Sequence, residues 1–275
     1  MRATTWLPSP LAFLMMMATA GALVAAPPVP NPAAEEERPK LDVPYVPTPD
    51  AVVDQMMEFA APTKDDYLID LGSGDGRIPI TAAERFGTRG FGVDLDPRRI
   101  REANENAKKA NVTDKVTFRE ANLFDTEIRD ATILTLYLLP AVNLELRPRI
   151  LDELRPGTRV VSHDFHMGDW EPDRVEKVGT VKTVYLWIVP AKVHGKWTVT
   201  DKQANREFTL ELQQTFQQLQ GNATIDGRSV PLTNARMEGE RIVFELADGD
   251  KPKSYEGRLV DKVIEGEGWQ AKPAS

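Results

Sequence analysis

The sequence predicts an α/β fold with a mostly parallel sheet, an antiparallel hairpin at one edge, and a small antiparallel β domain after it. Strand and helix patterns alternate over residues 67–163, the order that gives parallel strands joined by right-handed helical crossovers. Two alternating segments, residues 174–180 and 183–190, then form a hairpin pattern. From Lys192 onward helical periodicity is absent, and short alternating segments are separated by turn sequences, which indicates a small antiparallel sheet or half-barrel.

The strands and the first two helices follow from local patterns. AVVDQMMEFA has apolar residues at helical spacing, so a helix is expected over residues 50–61, with Asp50 as its cap. A second helix is expected over residues 76–87, because Pro79 falls in the first turn, where proline is tolerated, and Gly87 ends it. Short buried strands are expected over residues 67–71, 90–95, 116–120, 131–139 and 158–163.

Two more helices follow later strands. Asp96 and Pro97 form a cap followed by a first-turn proline, and Asn111 suits the left-handed end of the helix that begins there. Residues 141–154 form a fourth helical region, which is expected to break or kink near Pro148 because proline removes a helical hydrogen bond.

The N-terminal residues carry a targeting pattern. Arg2 precedes an apolar run over residues 11–26, in which Val24 and Ala26 are suitably placed for a signal peptidase. We interpret residues 1–26 as a signal peptide, with an uncleaved membrane anchor as the alternative. The protein is therefore expected to be exported or periplasmic if the run is cleaved, and otherwise to associate with a membrane through its N-terminus. The remaining predicted segments are a proline-rich linker over 27–44, a first domain over 45–190 and an all-β domain over 191–275.

Composition excludes some classes of function. The chain has 275 residues and a formal net charge of -8, whereas nucleic-acid-binding domains normally present a basic face. No nucleic-acid partner is therefore expected. The chain has no cysteine, which excludes disulfides, cysteine-ligated zinc and a thiol nucleophile.

The stretch DLGSGDG lies where the first strand ends and the second helix begins. Glycine-rich backbone at this point lets main-chain N–H groups approach a ligand closely, in the crevice at the carboxyl ends of parallel strands. A dinucleotide fingerprint needs a third glycine at position 77, which is Arg77. The stretch instead resembles motif I of the class I S-adenosylmethionine (SAM) methyltransferases, D-x-G-x-G-x-G, with Asp70, Gly72, Gly74 and Gly76 at the defining positions. A carboxylate at Asp70 can hold the amino-acid part of SAM.

Further polar residues are expected to follow the next two strands. GVDLD supplies Asp94, whose carboxylate can accept both ribose hydroxyls; it is preferred over Asp96, which already caps a helix. After the third strand, Asn122 takes the position that is often acidic in methyltransferases. Its amide oxygen can accept from the adenine N6 group, and Asp125 is the alternative.

The segments YVPTP, DLGSGDGRI, GVDLDP, YLLPAVNLELRP and LRPGTRVVSHDFHMGDWEPD together resemble a narrower family over residues 45–173. This family is the protein-lysine methyltransferases related to the ATP synthase c-subunit lysine methyltransferase. The resemblance implies a Rossmann-like class I methyltransferase sheet and transfer of a methyl group from SAM to a lysine of a protein substrate. The alternatives are a small-molecule methyltransferase and an exported, non-catalytic SAM-binding or structural module.

The resemblance also implies site residues. In that family the YVPTP segment folds over the cofactor, which makes Tyr45 and Thr48 candidate SAM contacts, with a rigid proline linker as the alternative. Tyr137 stands where related enzymes line the acceptor amine, with a buried core tyrosine as the alternative. His163 is the second candidate catalytic residue, as a histidine base, with a hydrogen-bonding role at a strand end as the alternative. The candidate cofactor residues are Tyr45, Thr48, Asp70, Gly72, Ser73, Gly74, Asp75, Gly76, Asp94, Asn122 and Leu123.

The segment SHDFH, residues 162–166, contains side chains of the kinds that bind metal ions. His163 and His166 are three residues apart, so on an extended strand their side chains point to opposite faces. They cannot pair unless the chain turns between them. The sequence therefore predicts no metal ion.

Overall fold

The computed structural model describes residues 43–247 and 252–274. The predicted signal peptide or anchor over residues 1–26 lies outside these residues, as does the predicted linker up to residue 42. Across the described residues, no helix is both long enough and apolar enough to cross a membrane.

The first part of the described chain alternates helices and strands, as the sequence predicts. Its elements are α1 (Asp50–Ala60), β1 (Tyr67–Leu71), α2 (Arg77–Phe86), β2 (Arg89–Asp94), α3 (Pro97–Lys109), β3 (Val116–Glu120), β4 (Ile133–Leu136), α4 (Pro140–Glu153), β5 (Arg159–His163), β6 (Arg174–Val178) and β7 (Lys182–Ile188).

The seven strands form one sheet in the order β3-β2-β1-β4-β5-β7-β6. The first five are parallel, and β7 pairs antiparallel with both β5 and β6. This confirms the predicted parallel sheet with an antiparallel edge hairpin. Because β1 lies between β2 and β4, the carboxyl ends of these three strands meet at one edge, where a ligand crevice is expected.

Backbone chemistry fixes the helix ends around this edge. Gly76 and Gly87 flank α2 in the left-handed conformation, with φ of 80° and 72°. The Asp96 side chain caps α3 by accepting from the Arg98 N–H at 2.9 Å, and Asn111 adopts a φ of 57° beyond the end of that helix. These features agree with the caps that the sequence predicts.

Two local predictions are wrong, and of the break or kink expected at Pro148 the break does not occur. Pro49 is the N-cap of α1, and Asp50 is instead the first helical residue. Strand β4 ends at Leu136, so the residues after it turn away from the sheet. Helix α4 continues through Pro148: the carbonyl that loses its donor belongs to Leu144, and both residues are exposed, so water can satisfy it.

The second part of the chain is a closed antiparallel barrel, with strand order β10-β11-β12-β13-β14-β15-β8-β9. The predicted half-barrel is thus a complete one, because the last strand pairs with the first: Trp269 lies opposite Asp201. Closure removes the exposed edges that an open sheet would leave. The predicted boundary at residues 190/191 falls between β7 and β8. The barrel strands are β8 (Gly195–Asp201), β9 (Arg206–Thr215), β10 (Gln218–Ile225), β11 (Arg228–Glu238), β12 (Arg241–Leu246), β13 (Lys253–Val260), β14 (Val263–Gly266) and β15 (Trp269–Pro273).

Candidate functional site

A pocket of about 810 Å³, part of it open to solvent, lies at the carboxyl ends of β1, β2 and β4. The loop after β1 forms its floor, and residues 43–48, which we call the strap, cover it. The predicted site residues that line it are Tyr45, Thr48, Asp70, Gly72, Ser73, Gly74, Asp75, Asp94, Leu123 and Tyr137.

The floor of the pocket depends on glycine. Gly72, Gly74 and Gly76 have φ of 80°, 52° and 80°, in the left-handed region that other residues rarely adopt. The N–H groups of Gly72 and Ser73 both donate to the Val93 carbonyl, at 2.9 and 2.8 Å. The loop is therefore tied to the end of β2, and its backbone lies directly under the pocket.

Gly76 has a packing role instead of a lining role. A Cβ there would lie 2.6 Å from the Phe118 ring on β3 and 3.0 Å from the Ala103 side chain on α3. In a dinucleotide fold the third glycine, which would be residue 77 here, allows this close contact between helix and strand. In this chain Gly76 allows it instead. Arg77, the next residue, is free to pair with Asp75 at 2.6 Å.

Asp70, the acid at the end of β1, is buried, with 2% of its surface exposed. Its carboxylate accepts a hydrogen bond from the Thr135 hydroxyl on β4 at 2.7 Å. Burial raises the pKa of Asp70 from 3.8 to about 7, with a smaller contribution from Asp94 and Asp75, while the Thr135 hydrogen bond opposes the shift. A cation in the pocket would favour the ionised form.

This raised pKa predicts a pH dependence of stability. Between the unfolded pKa of 3.8 and the folded value of about 7, the folded chain binds more protons, so the free energy of unfolding falls as pH rises. Relative to Asp70→Asn, the free energy of unfolding of the wild type without cofactor is expected to fall by about 2–3 kcal/mol between pH 5 and pH 8. Urea unfolding of both proteins at the two pH values measures this, and a constant difference between them would contradict it.

Asp94, the acid at the end of β2, organises the loop. Its two carboxylate oxygens accept from the Gly74 and Asp96 N–H groups, both at 2.9 Å. Burial raises its pKa, and these two hydrogen bonds oppose the shift. Asp96 binds Arg98 as a helix cap, which agrees with the choice of Asp94 as the site carboxylate.

The strap is held by two arginines that sequence reasoning missed. Arg77 donates to the Thr48 carbonyl at 2.7 Å, and the Arg99 guanidinium lies 4.5 Å from the centre of the Tyr45 ring. Burial opposes ionisation of Asp75, but hydrogen bonds from Arg77 and Tyr45 outweigh it and lower its pKa. Nothing local in the sequence pairs these side chains with the strap, because Arg77 is 29 residues from Thr48 and Arg99 is about fifty residues from Tyr45.

Tyr137 and His163, the two candidate catalytic residues, lie together at the ends of β4 and β5. Their rings stack with centroids 3.8 Å apart and 28° between planes. His163 is fully buried, and its Nδ1 lies 3.2 Å from the Thr48 hydroxyl. Tyr137 lines the pocket, whereas His163 is behind it.

Burial keeps His163 neutral. It lowers the pKa of His163 to about 4, although Asp164 acts in the opposite direction. Lys182 of β7 completes this cluster: its ammonium donates to Asp164 at 2.6 Å and to the Tyr137 hydroxyl at 3.4 Å. Sequence reasoning missed Lys182, because only the antiparallel pairing of β5 and β7 brings it here.

The structure does not bring Asn122 to the pocket. Its side-chain oxygen accepts from the Phe124 N–H at 2.9 Å, which closes a local turn. Asn122 and its alternative Asp125 both line a neighbouring depression under β1 and β2. Leu123, which lies between Asn122 and Asp125 in the chain and is also a predicted site residue, lines the first pocket instead.

No metal-binding cluster is present among residues 43–247 and 252–274: no group of three or more histidine, aspartate or glutamate side chains is arranged to hold an ion. His166 accepts from the Gly168 N–H at 2.9 Å at the surface, away from His163.

The pocket suits SAM. The glycine floor admits a ligand that passes close to the backbone, and a Cβ at Gly74 would lie 2.5 Å from the Tyr45 ring. Asp70 can hold an ammonium, Asp94 can accept from ribose hydroxyls, and the buried Ser73 hydroxyl has no hydrogen-bond partner among the described residues. When bound, SAM supplies a methyl group activated by the sulfonium.

Comparisons with known proteins agree with this interpretation. A family model described as the ANTKMT methyltransferase domain matches residues 70–174. A protein-lysine N-methyltransferase of Saccharolobus islandicus is 47% identical over 151 residues, which is 54% of this chain and 94% of that protein. The adenine nucleotide translocase lysine N-methyltransferase of Mus musculus is 33% identical over 157 residues, 57% of this chain and 66% of that protein.

A solved structure also matches. The RNA methyltransferase from Salinibacter ruber, in complex with S-adenosyl-L-homocysteine (SAH), is 52% identical, with a TM-score of 0.53 over 54% of this chain and 96% of that chain. The barrel lies outside the family match over residues 70–174. The chain therefore belongs to the class I SAM-dependent methyltransferase family that includes these protein-lysine N-methyltransferases, and it is a methyltransferase enzyme that uses SAM.

Proposed function

We propose that this enzyme methylates the ε-amine of lysine in a protein substrate. The Saccharolobus relative is named a protein-lysine N-methyltransferase and the mouse relative a lysine N-methyltransferase of the adenine nucleotide translocase, which supports a protein-lysine acceptor. The observation that carries the proposal is an aromatic wall, formed by Tyr137, His163 and Phe165, beside the cofactor pocket.

The wall has the chemistry that a lysine acceptor needs. The amine must be neutral to take a methyl group, although the pKa of free lysine is about 10.4. Burial against aromatic rings disfavours the ammonium form. Once methylated, the amine can carry its charge against a ring face.

We assign different roles to the members of the wall. Tyr137 lines the pocket, so its hydroxyl is the group that can reach the acceptor amine. His163 is sealed behind it, with Nε2 3.4 Å from the Asp164 carboxylate, and it positions Tyr137 through the ring stack. Lys182, held by Asp164, donates to the Tyr137 hydroxyl and fixes the direction of its remaining hydrogen bonds. Most of the rate enhancement then comes from orientation and the exclusion of water.

Removing the Tyr137 hydroxyl tests these roles. Tyr137→Phe keeps the ring stack, so the Kd for SAH is expected to stay unchanged while kcat falls by about tenfold or more. Tyr185→Phe is the matched control, because Tyr185 lies on β7 and does not line the pocket. Equal kcat values for Tyr137→Phe and wild type would contradict a role for the hydroxyl at the acceptor.

The acceptor class is tested directly with methyl-labelled SAM. The purified enzyme is incubated with casein, with total RNA and with a small-molecule extract, and label is followed in each fraction. The proposal expects label on protein, and mass spectrometry to place the added methyl groups on lysine. Label in RNA or small molecules only would overturn it.

The RNA arm is needed because the Salinibacter relative is named for RNA. The net charge of -8 argues against this acceptor, since binding to phosphates depends on clustered lysine and arginine.

We also propose that the N-terminal run directs export, or anchors the protein to a membrane if it is not cleaved. The apolar run over residues 11–26 supports this. Cell fractionation, with a mass measurement of the mature N-terminus, tests both forms. A full-length N-terminus in the soluble cytosolic fraction would overturn the proposal.

A further inference from the structure

The barrel reaches the methyltransferase domain through one turn. The turn between β9 and β10 places Phe216 at its tip, with a φ of 54°, a left-handed conformation that is uncommon for a bulky residue. The Phe216 ring packs against the core of the α/β domain, whereas the neighbouring barrel residues Leu212 and Leu219 belong to the core of the barrel. Phe216 is thus an insertion from one domain into the other.

Two groups of the α/β domain receive this ring. Trp170, fully buried in the segment between β5 and β6, lies nearly parallel to it, with centroids 5.9 Å apart and 20° between planes. The guanidinium of Arg147, a residue of α4, lies 5.3 Å from the centre of the Phe216 ring. Both contacts are of kinds that add stability beyond the burial of area.

Hydrogen bonds fix the turn on both sides. The buried Gln217 side chain donates to the Glu171 carbonyl at 2.6 Å. Gln214 donates to the Phe216 carbonyl at 2.8 Å, and also to the Ala191 carbonyl at 2.8 Å in the connection between the domains. The tip of the turn is therefore held to its own barrel and to the segment that contains Trp170.

This receiving segment, residues 164–173, is the acceptor-side loop. It carries Phe165, whose ring lies 6.2 Å from that of Tyr137 at 17° between planes. Arg147 donates to the Met167 carbonyl at 2.8 Å, and Trp187 donates to the Trp170 carbonyl at 2.8 Å. The same arginine thus contacts both the loop and Phe216.

We propose that the β9–β10 turn of the barrel is part of the acceptor site: Phe216 and Gln217 are positioning residues that hold the acceptor-side loop, and with it Phe165, against Tyr137. The inference rests on the proposed function for the role of the aromatic wall. The barrel then has a role in methyl transfer. It contacts the loop at Trp170 and Glu171, and both residues lie within ten residues of His163. Cofactor binding does not depend on this contact, since neither Phe216 nor Gln217 lines the cofactor pocket.

The full-length enzyme with Phe216→Leu tests the proposal, with casein as acceptor. Phe216→Tyr keeps the ring, and Phe208→Leu makes the same change within the barrel core. We expect Phe216→Leu to lower kcat/KM for casein about tenfold, with the Kd for SAH within about twofold of wild type, because a small displacement of aligned groups is costly. Hydrogen exchange in residues 164–173 should rise in the same variant. Phe216→Tyr and Phe208→Leu should keep both kcat/KM for casein and the exchange in residues 164–173 near the wild-type values.

Three results would overturn the proposal: unchanged kcat/KM in Phe216→Leu, an equal loss of SAH affinity, or unchanged exchange in residues 164–173. If Phe216→Leu does not fold, Gln217→Ala carries the same comparison, since it removes the Glu171 hydrogen bond without removing a ring. A wild type that does not methylate casein counts against the proposed acceptor class. The exchange comparison of Phe216→Leu with Phe208→Leu then decides the positioning role.

Discussion

Replacing Asp94 by asparagine is expected to weaken SAH binding by about a hundredfold or more, which corresponds to roughly 2.7 kcal/mol. Both carboxylate oxygens of Asp94 already accept backbone N–H groups, from Gly74 and from Asp96. Asparagine has one oxygen, so its amide would face one of these N–H donors and leave a partly buried donor unpaired, at a cost of about 1–3 kcal/mol. The carboxylate that can accept ribose hydroxyls is lost in the same change.

Calorimetric titration with SAH measures the effect of Asp94→Asn. Asp65→Asn is the control, since Asp65 is an exposed carboxylate in the turn before β1. Circular dichroism of the Asp94→Asn protein shows whether it is folded, and so whether a loss of affinity is due to unfolding. An affinity within about twofold of wild type, in a folded Asp94→Asn protein, would remove Asp94 from the cofactor site.

The floor of the site could be predicted from sequence because its determinants are local. The acid, the glycines and the start of the next helix follow one another in DLGSGDG, and parallel pairing places the end of β2 beside the end of β1. The hydrogen bond from Gly74 to Asp94 spans only twenty residues, within one strand–helix–strand unit. Motif spacing therefore contains most of the geometry of the floor.

The proposed acceptor side could be predicted only in part. Tyr137 and His163 follow strand ends, and the hairpin pattern around Lys182 predicts that β6 pairs with β7. That pattern does not say which of the two strands lies beside β5, and it is the pairing of β7 with β5 that brings Lys182 to Tyr137. Asn122 illustrates the reverse case. Its position is often acidic in methyltransferases, so asparagine departs from that pattern. The side chain closes its own turn by accepting from Phe124, a local hydrogen bond that competes with ligand binding.

The second domain shows the same limit at larger scale. Alternation predicts its strands, because buried and exposed positions such as Phe208 and Glu207 follow one another along each strand. Alternation does not say whether the first and last strands meet, and closure between β8 and β15 joins residues about seventy positions apart. Phe216 is equally hidden in the sequence, since an aromatic residue in a hairpin turn resembles an ordinary exposed tip.

Replacing Gly74 by alanine is expected to lower SAH affinity by about tenfold to a hundredfold while leaving the protein folded. A Cβ at Gly74 would lie 2.5 Å from the Tyr45 ring, so one of the two groups has to move. Tyr45 is the more mobile partner, because 39% of its surface is exposed. Swinging outward would break its contacts with Arg99 and Asp75 and open the strap over the pocket.

Gly157→Ala provides the matched control for backbone strain. Gly157 has a φ of 88°, comparably left-handed, but a Cβ there meets nothing within 4 Å. Both variants are therefore expected to lose about 1–2 kcal/mol of stability from the left-handed conformation, and only Gly74→Ala should lose affinity for SAH. Equal SAH affinities in the two variants would exclude a steric effect at the pocket floor.

The link through Tyr45 can be isolated by a double-mutant cycle. If Gly74→Ala weakens binding by displacing the strap, it should have little further effect in a Tyr45→Ala background, where no ring is left to displace. The two changes would then be strongly non-additive, with a coupling energy of about 0.5–3 kcal/mol. Additive effects would mean that Gly74 acts on the ligand directly and that the strap is closed by other contacts, such as the hydrogen bond from Arg77 to Thr48.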